Sequence, residues 1–182
     1  ENNPNLIKRV MDAGAYGVVV PNVNSARETK AAVNAVKYPP AGTRGVGLYR
    51  AQQYGRQFEE YKTWLSEESI VIIQIEHIDA VNHIDEIFMT PGIDAFIIGP
   101  YDLSGSLGKP GVFDDPEVVS ALEKVMEAAE RHSITAGFHS VSSNPEEARK
   151  RKEQGYKLLA FSIDTIFLGD AACNALLKLK GD

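Results

Sequence analysis

The sequence predicts an α/β fold built on a parallel sheet. Three observations carry the prediction. Short apolar runs recur five times, helical patterns lie between them, and no linker or low-complexity stretch interrupts the alternation. A repeated βα order implies right-handed crossovers and a sheet covered by helices. Two architectures fit: a five-stranded doubly wound sheet, or a (β/α)8 TIM barrel of which the chain supplies roughly the last five βα units. A whole barrel typically takes about 250 residues, against 182 here. The chain opens at Glu1 in a polar stretch that runs straight into a helix. The expectation is therefore a piece of a longer protein, which favours the barrel, with residues 1–182 as one partial barrel domain.

The strands are expected at Gly17–Pro21, Ile70–Glu76, Ala95–Gly99, Thr135–His139 and Leu158–Asp164. A helix over Asn5–Ala13 precedes the first strand. Ser25–Val36 follows it, with Ser25 as N-cap and Glu28 three residues on, the pattern of a capping box. Asp79–Phe88 is expected as one helix after the second strand. Asp115-Pro116-Glu117 opens a long helix, with Asp as cap and Pro at the first helical position. Its Val119, Leu122, Val125, Met126 and Ala129 keep helical spacing. Asn144-Pro145 opens another helix, which Gly155 stops, and a last one runs from about Thr165 to Lys180. Lys37 to about Phe58 reads as irregular, a length that points to function or to an interface.

Composition narrows the function classes. Nineteen Lys plus Arg against 25 Asp plus Glu give a net charge of -6, so the chain has no electrostatic reason to seek nucleic acid or an anionic membrane. No apolar run reaches the roughly 18 residues that span a bilayer. The single cysteine, Cys173, cannot form an internal disulfide, which suits a cytoplasmic location.

Polar residues gather where strands end. Along the second strand Val71, Ile73 and Ile75 share one face and Ile72, Gln74 and Glu76 the other, so the second face turns polar at its C-terminal end. Glu76, Asp102, His139 and Asp164 all fall at such ends, where parallel α/β folds bind ligands. Each has a plainer role open to it: solvent for Glu76, a turn for Asp102, a hydrogen-bonded mouth residue for His139, a helix cap for Asp164. His132, late in its helix, suits the helix dipole. Two carboxylates at neighbouring strand ends need a positive charge between them. A hard divalent cation supplies it, whereas a structural zinc site would want His or Cys. Lys157 lies at the entry end of its strand, the wrong end for a Schiff base, while Lys109 sits in a loop and stays open.

Three phrases carry a resemblance. They are Tyr38-Pro39-Pro40-Ala41-Gly42-Thr43-Arg44-Gly45-Val46-Gly47, Gln74-Ile75-Glu76, and Ile98-Gly99-Pro100-Tyr101-Asp102-Leu103-Ser104. In this order and spacing the chain resembles the HpcH/HpaI aldolases over essentially its whole length. The resemblance implies a TIM barrel of the phosphoenolpyruvate/pyruvate type, in a homo-oligomer of six subunits or fewer. It implies a metal-dependent lyase that cleaves a 4-hydroxy-2-oxo acid reversibly to pyruvate and an aldehyde, through a metal-stabilised pyruvate enolate. By its motif Glu76 and Asp102 would hold Mg2+, Mn2+ or Co2+. Gln74 would be the catalytic and substrate-binding amide, and the backbone N–H groups of Tyr101 and Asp102 would hold the pyruvate carboxylate. Arg44 would stand near the substrate or at an interface. The family's catalytic His and its keto-polarising Arg lie on early strands, and would precede Glu1. Two other readings are a citramalyl- or malyl-thioester lyase and a non-catalytic α/β binding module. No coenzyme A feature supports the first, and Pro21-Asn22 at the first strand end lacks the acidic cluster of a receiver-like module.

Overall fold

Five parallel strands form one curled sheet in sequence order: β1 Gly17–Val20, β2 Ile70–Ile75, β3 Ala95–Ile98, β4 Thr135–Ser140 and β5 Leu158–Phe161. The structure, a computed structural model, describes residues 1–181. Helix α1 (Pro4–Asp12) leads in, and α2 (Ala26–Val36) and α3 (Phe58–Glu67) connect β1 to β2. Then come α4 (Ile78–Asn82), α5 (Ile84–Phe88), α6 (Pro100–Ser106), α7 (Pro116–His132), α8 (Pro145–Glu153) and α9 (Asp164–Lys180). This is a half-barrel arrangement. The order runs straight across from β1 to β5 without the reversal of a doubly wound sheet.

The sheet's helix-facing side makes the core. Val71, Ile73, Ile75, Phe96 and Ile98 are fully buried there beneath Ile84, Ile87 and Val125. Burying such side chains is worth about 1.5–3 kcal/mol each. Gly137 keeps β4 close to β3, because a Cβ at that position would stand 2.5 Å from the Phe96 carbonyl oxygen.

Caps fix the helix starts as the sequence predicts. Ser25 Oγ accepts from Glu28 N at 3.2 Å, while Glu28 Oε2 reaches back to Asn24 N at 2.7 Å, one residue before the cap. Asp115 and Asn144 accept from Glu117 N and Glu146 N, each ahead of a Pro at the first helical position. His132 does more than face a helix end: its Nε2 and the Arg131 guanidinium both meet Asp85 Oδ1 at 2.8 Å, tying α7 to α5.

Three expectations change. The single helix over Asp79–Phe88 is two, broken at His83, whose amide is shared between the Asp79 and Ala80 carbonyls. Its Nδ1 also lies 2.8 Å from Asp79 O, so ring and amide converge on one acceptor and the helical turn does not continue. The long loop ends near Phe58 as expected, but a 3-10 turn covers Arg50–Gln52 within it, and α3 occupies the following Phe58–Glu67, where no helix was expected. Strand β5 stops at Phe161, because Ser162 turns into the left-handed region with φ 56°. Asp164 is then the first residue of α9, not its cap, and its Oδ1 accepts from Thr165 N at 2.8 Å.

Candidate active site at the strand exits

Register places the site. Gln74 pairs with Ile97 and Ile75 with Ile98, so the next residues, Glu76 and Gly99, face one another just beyond β2 and β3. Both Gln74 and Glu76 lie on the face opposite the helix-covered core. Gln74 Nε2 donates to Glu76 Oε2, and Asn22 N donates to Glu76 Oε1 at 2.8 Å. Each carboxylate oxygen of Glu76 is thus held by one donor, and the residue is only 8% exposed. Gly99 gives it room. A Cβ there would stand 2.7 Å from both Gln74 Nε2 and Glu76 Oε2. The Gly99 backbone, at φ -96°, is open to any residue, so space and not conformation demands glycine.

Asp102 arrives on the first turn of α6 and is exposed. Pro100 has no N–H, and Leu103 N is the first amide of the helix to reach back, to Gly99 O at 3.0 Å. The amides of Tyr101 and Asp102 precede it and have no partner within the helix. Ser106 Oγ accepts from Ile78 N at 2.9 Å, which ties the end of α6 to the segment just after Glu76. A cleft of about 620 Å3 opens between Asn22, Glu76, Tyr101, Asp102 and Ser106.

The electrostatics are those of a carboxylate pair. Burial pushes the Glu76 carboxyl above the ordinary carboxylate range; the Asn22 N–H opposes this, and the nearby Asp102 adds to it. No group of three or more His, Cys, Asp and Glu able to hold a metal occurs among the described residues. The donors here are two carboxylates, hard oxygen ligands whose mutual repulsion a divalent cation would relieve, with positions left for water and substrate. They fit Mg2+ or Mn2+ better than a structural zinc ion.

The other expected residues fall out differently. Gln74, Glu76, Tyr101 and Asp102 come together. Arg44 does not join them. It is buried with its guanidinium 4.4 Å from the Tyr38 ring centre, its Nη2 donates to Tyr61 Oη at 2.8 Å, and its amide bonds Lys37 O. Lys37 in turn holds the Leu65 and Ser69 carbonyls ahead of β2, so Arg44 sits at the strands' entry side. Lys109 is paired with Asp115 at 2.6 Å and with Glu117, and these hydrogen bonds raise its pKa. A lysine held protonated is a poor Schiff-base nucleophile. His77 caps α4 by accepting from Asp79 N. Asn22, Ser106 and Ser162 were not singled out from sequence. Asn22 acts through its backbone, and its φ of 53°, which Asn tolerates well, is the one trace in its side-chain type.

Residues 1–171 match the family model described as HpcH/HpaI aldolase/citrate lyase. A 2-keto-3-deoxy-L-rhamnonate aldolase of Klebsiella pneumoniae is 36% identical across 100% of this chain and 68% of its own length. The enzyme of that name from Escherichia coli K12 is 35% identical across 99% of this chain and 67% of its own. Among solved structures, a HpcH/HpaI aldolase/citrate lyase family protein from Burkholderia cenocepacia superimposes with a TM-score of 0.91 at 32% identity, covering 98% of this chain and 70% of that one. The HpcH/HpaI aldolase of Desulfitobacterium hafniense gives 0.87 at 32%, covering 98% and 69%. The chain spans about two thirds of the length of these relatives. With a family match over residues 1–171 and a relative 36% identical across the whole chain, the chain belongs to the HpcH/HpaI aldolase/citrate lyase family.

Proposed function

We propose that the chain carries the metal and pyruvate site of a divalent-metal-dependent carbon–carbon lyase, which cleaves a 4-hydroxy-2-oxo acid reversibly to pyruvate and an aldehyde. The observation that carries this is the buried Glu76 carboxylate, held by Asn22 N and Gln74 Nε2, with the Asp102 carboxylate near enough to raise its pKa. Glu76 and Asp102 would hold Mg2+, Mn2+ or Co2+. When bound, such an ion supplies Lewis-acid stabilisation of the negative charge that develops on the keto oxygen during cleavage.

The chain's own residues do the rest. The Asn22 amide and the Gln74 side chain fix the Glu76 carboxylate before any ligand arrives, so no reorganisation is needed at that point. The amides of Tyr101 and Asp102, free of intrahelical partners, orient the substrate carboxylate. Gly99 leaves Gln74 and Glu76 the room to lie against each other at the strand exits. The aldolase names of the 35–36% identical relatives support a deoxy-sugar-acid substrate class.

Electron paramagnetic resonance of Mn2+ tests the donor set. One bound ion per chain is expected, sharply weakened in Asp102→Asn. Pyruvate should change the bound-ion spectrum and acetate, which lacks the keto oxygen, should not. Equal Mn2+ binding in Asp102→Asn, or equal effects of the two acids, contradicts the proposal.

A further inference from the structure

The row that begins with Glu76 continues across the sheet. His139 pairs with Ala160, and Phe138 with Ile98, so the residues at one level are Glu76, Gly99, His139 and Ala160. Neighbours in register share a face, so His139 lies on the side of Gln74 and Glu76, away from the core that holds Phe138. Two strand spacings separate Glu76 from His139, about 10 Å between backbones. Gly99 stands between them with no side chain, and Ala160 beyond has a single methyl. His139 is therefore the hydrogen-bonding side chain at this level on the three strands past Glu76. It also shares a cleft of about 640 Å3 with Tyr101, which lines the carboxylate cleft as well.

The imidazole is held in place. Its Nε2 lies 3.4 Å from the Ser162 carbonyl oxygen. A carbonyl only accepts, so this contact uses the tautomer with its hydrogen on Nε2, in which Nδ1 is the acceptor. Ser162 is itself constrained. It adopts φ 56°, costly for a residue with a Cβ, while its amide bonds Ser140 O at 2.7 Å and its hydroxyl bonds Val141 O at 3.0 Å. The sheet thus ends β5 in a strained turn whose carbonyl meets the His139 ring.

We infer that His139 recognises a hydroxyl on the aldehyde portion of the substrate, accepting its hydrogen at Nδ1, with Ser162 as the positioning residue. The substrate class this selects is a short α-hydroxy aldehyde, a sugar fragment, over an unfunctionalised one. The inference rests on the lyase reading, since the substrate must extend from Glu76 past Gly99 toward His139.

The test is nuclear magnetic resonance of the 15N-histidine-labelled chain with backbone amides also observed. Mg2+ and oxalate, a dianion that chelates as a pyruvate enolate would but cannot condense, are added first. Glycolaldehyde or propanal follows. The expected result is an Nε2–H tautomer for His139, a shift of its Nδ1 with glycolaldehyde and none with propanal. His139→Leu should weaken the glycolaldehyde response at the Tyr101 amide roughly tenfold, the scale of one lost hydrogen bond, with Mg2+/oxalate binding unchanged. His139→Gln should restore part of it. Ser162→Ala should loosen the tautomer preference. If Mg2+ and oxalate leave the Gln74 amide unmoved, the lyase reading fails and this inference with it. If they bind normally but propanal and glycolaldehyde act alike, or His139→Leu responds like the natural chain, this inference alone is overturned.

Discussion

Gly99 and Glu76 face each other so closely that one methyl group on Gly99 would stand 2.7 Å from Glu76 Oε2 and 3.0 Å from its Cβ. Gly99→Ala must therefore displace the carboxylate or Gln74. Overpacking of this kind costs about 1–3 kcal/mol, so Mn2+ affinity should fall about tenfold or more. Gly105→Ala is the control, because a Cβ there meets nothing within 4 Å. Parallel Mn2+ titrations of the two variants check the contrast.

Metal binding should weaken on acidification from a higher pH than an ordinary carboxylate would dictate. Protons compete with the cation for Glu76, whose pKa is raised first by burial and then by Asp102. The same shift acts on the metal-free fold. A carboxyl with a raised folded-state pKa favours folding at low pH, and that contribution is lost as pH rises through the folded value. Glu76→Gln should raise the melting temperature of the metal-free protein at neutral pH, with the gain shrinking toward acid pH. A gain that grows on acidification would contradict this.

At alkaline pH the sensitive group is Tyr156. It is 3% exposed beside Phe138, with ring centres 5.1 Å apart, and burial pushes its pKa up to about 12. Its folded-state value is raised, so its contribution is complete below the unfolded pKa of about 10 and is lost as pH climbs through about 12. The loss is of order 2–3 kcal/mol. Chemical denaturation across this range should show a shallower alkaline decline in Tyr156→Phe.

Arg44 should matter for stability and not for ligands. Its guanidinium lies against Tyr38 and Tyr61, and among the described residues its Nε and Nη1 have no hydrogen-bond partner. The ring faces take the place of a carboxylate. Arg44→Met should cost about 1–3 kcal/mol in denaturant unfolding, while Mn2+ and pyruvate binding stay as they are. Weakened pyruvate binding in a folded Arg44→Met would return Arg44 to the site.

Strand alternation made half the site legible. The pattern of Val71 to Glu76 already turns polar at its end, and Glu76 is where that pattern points. Asp102 was ambiguous because Gly99-Pro100-Tyr101-Asp102 suits a turn as well as a first helical turn, and only the sheet brings it to Glu76. Asn22 was hidden because its contribution is an amide that every non-proline residue has. Arg44 was misplaced because α3, which supplies Tyr61, went unread. Its apolar residues Phe58, Tyr61, Trp64 and Leu65 keep helical spacing, but they follow a glycine-rich stretch that reads as loop. The end of β5 was overrun because apolar residues continue through Ile163, while the backbone has already turned at Ser162.

The central claim is that Glu76 and Asp102 together hold a divalent cation that pyruvate binds. Calorimetric titration of Mn2+ into the chain, with and without pyruvate, tests it most directly when repeated on Glu76→Ala. The account predicts binding that pyruvate tightens and that Glu76→Ala loses, with circular dichroism showing the variant still folded. Mn2+ binding that persists in a folded Glu76→Ala, or that pyruvate leaves unchanged, would contradict it.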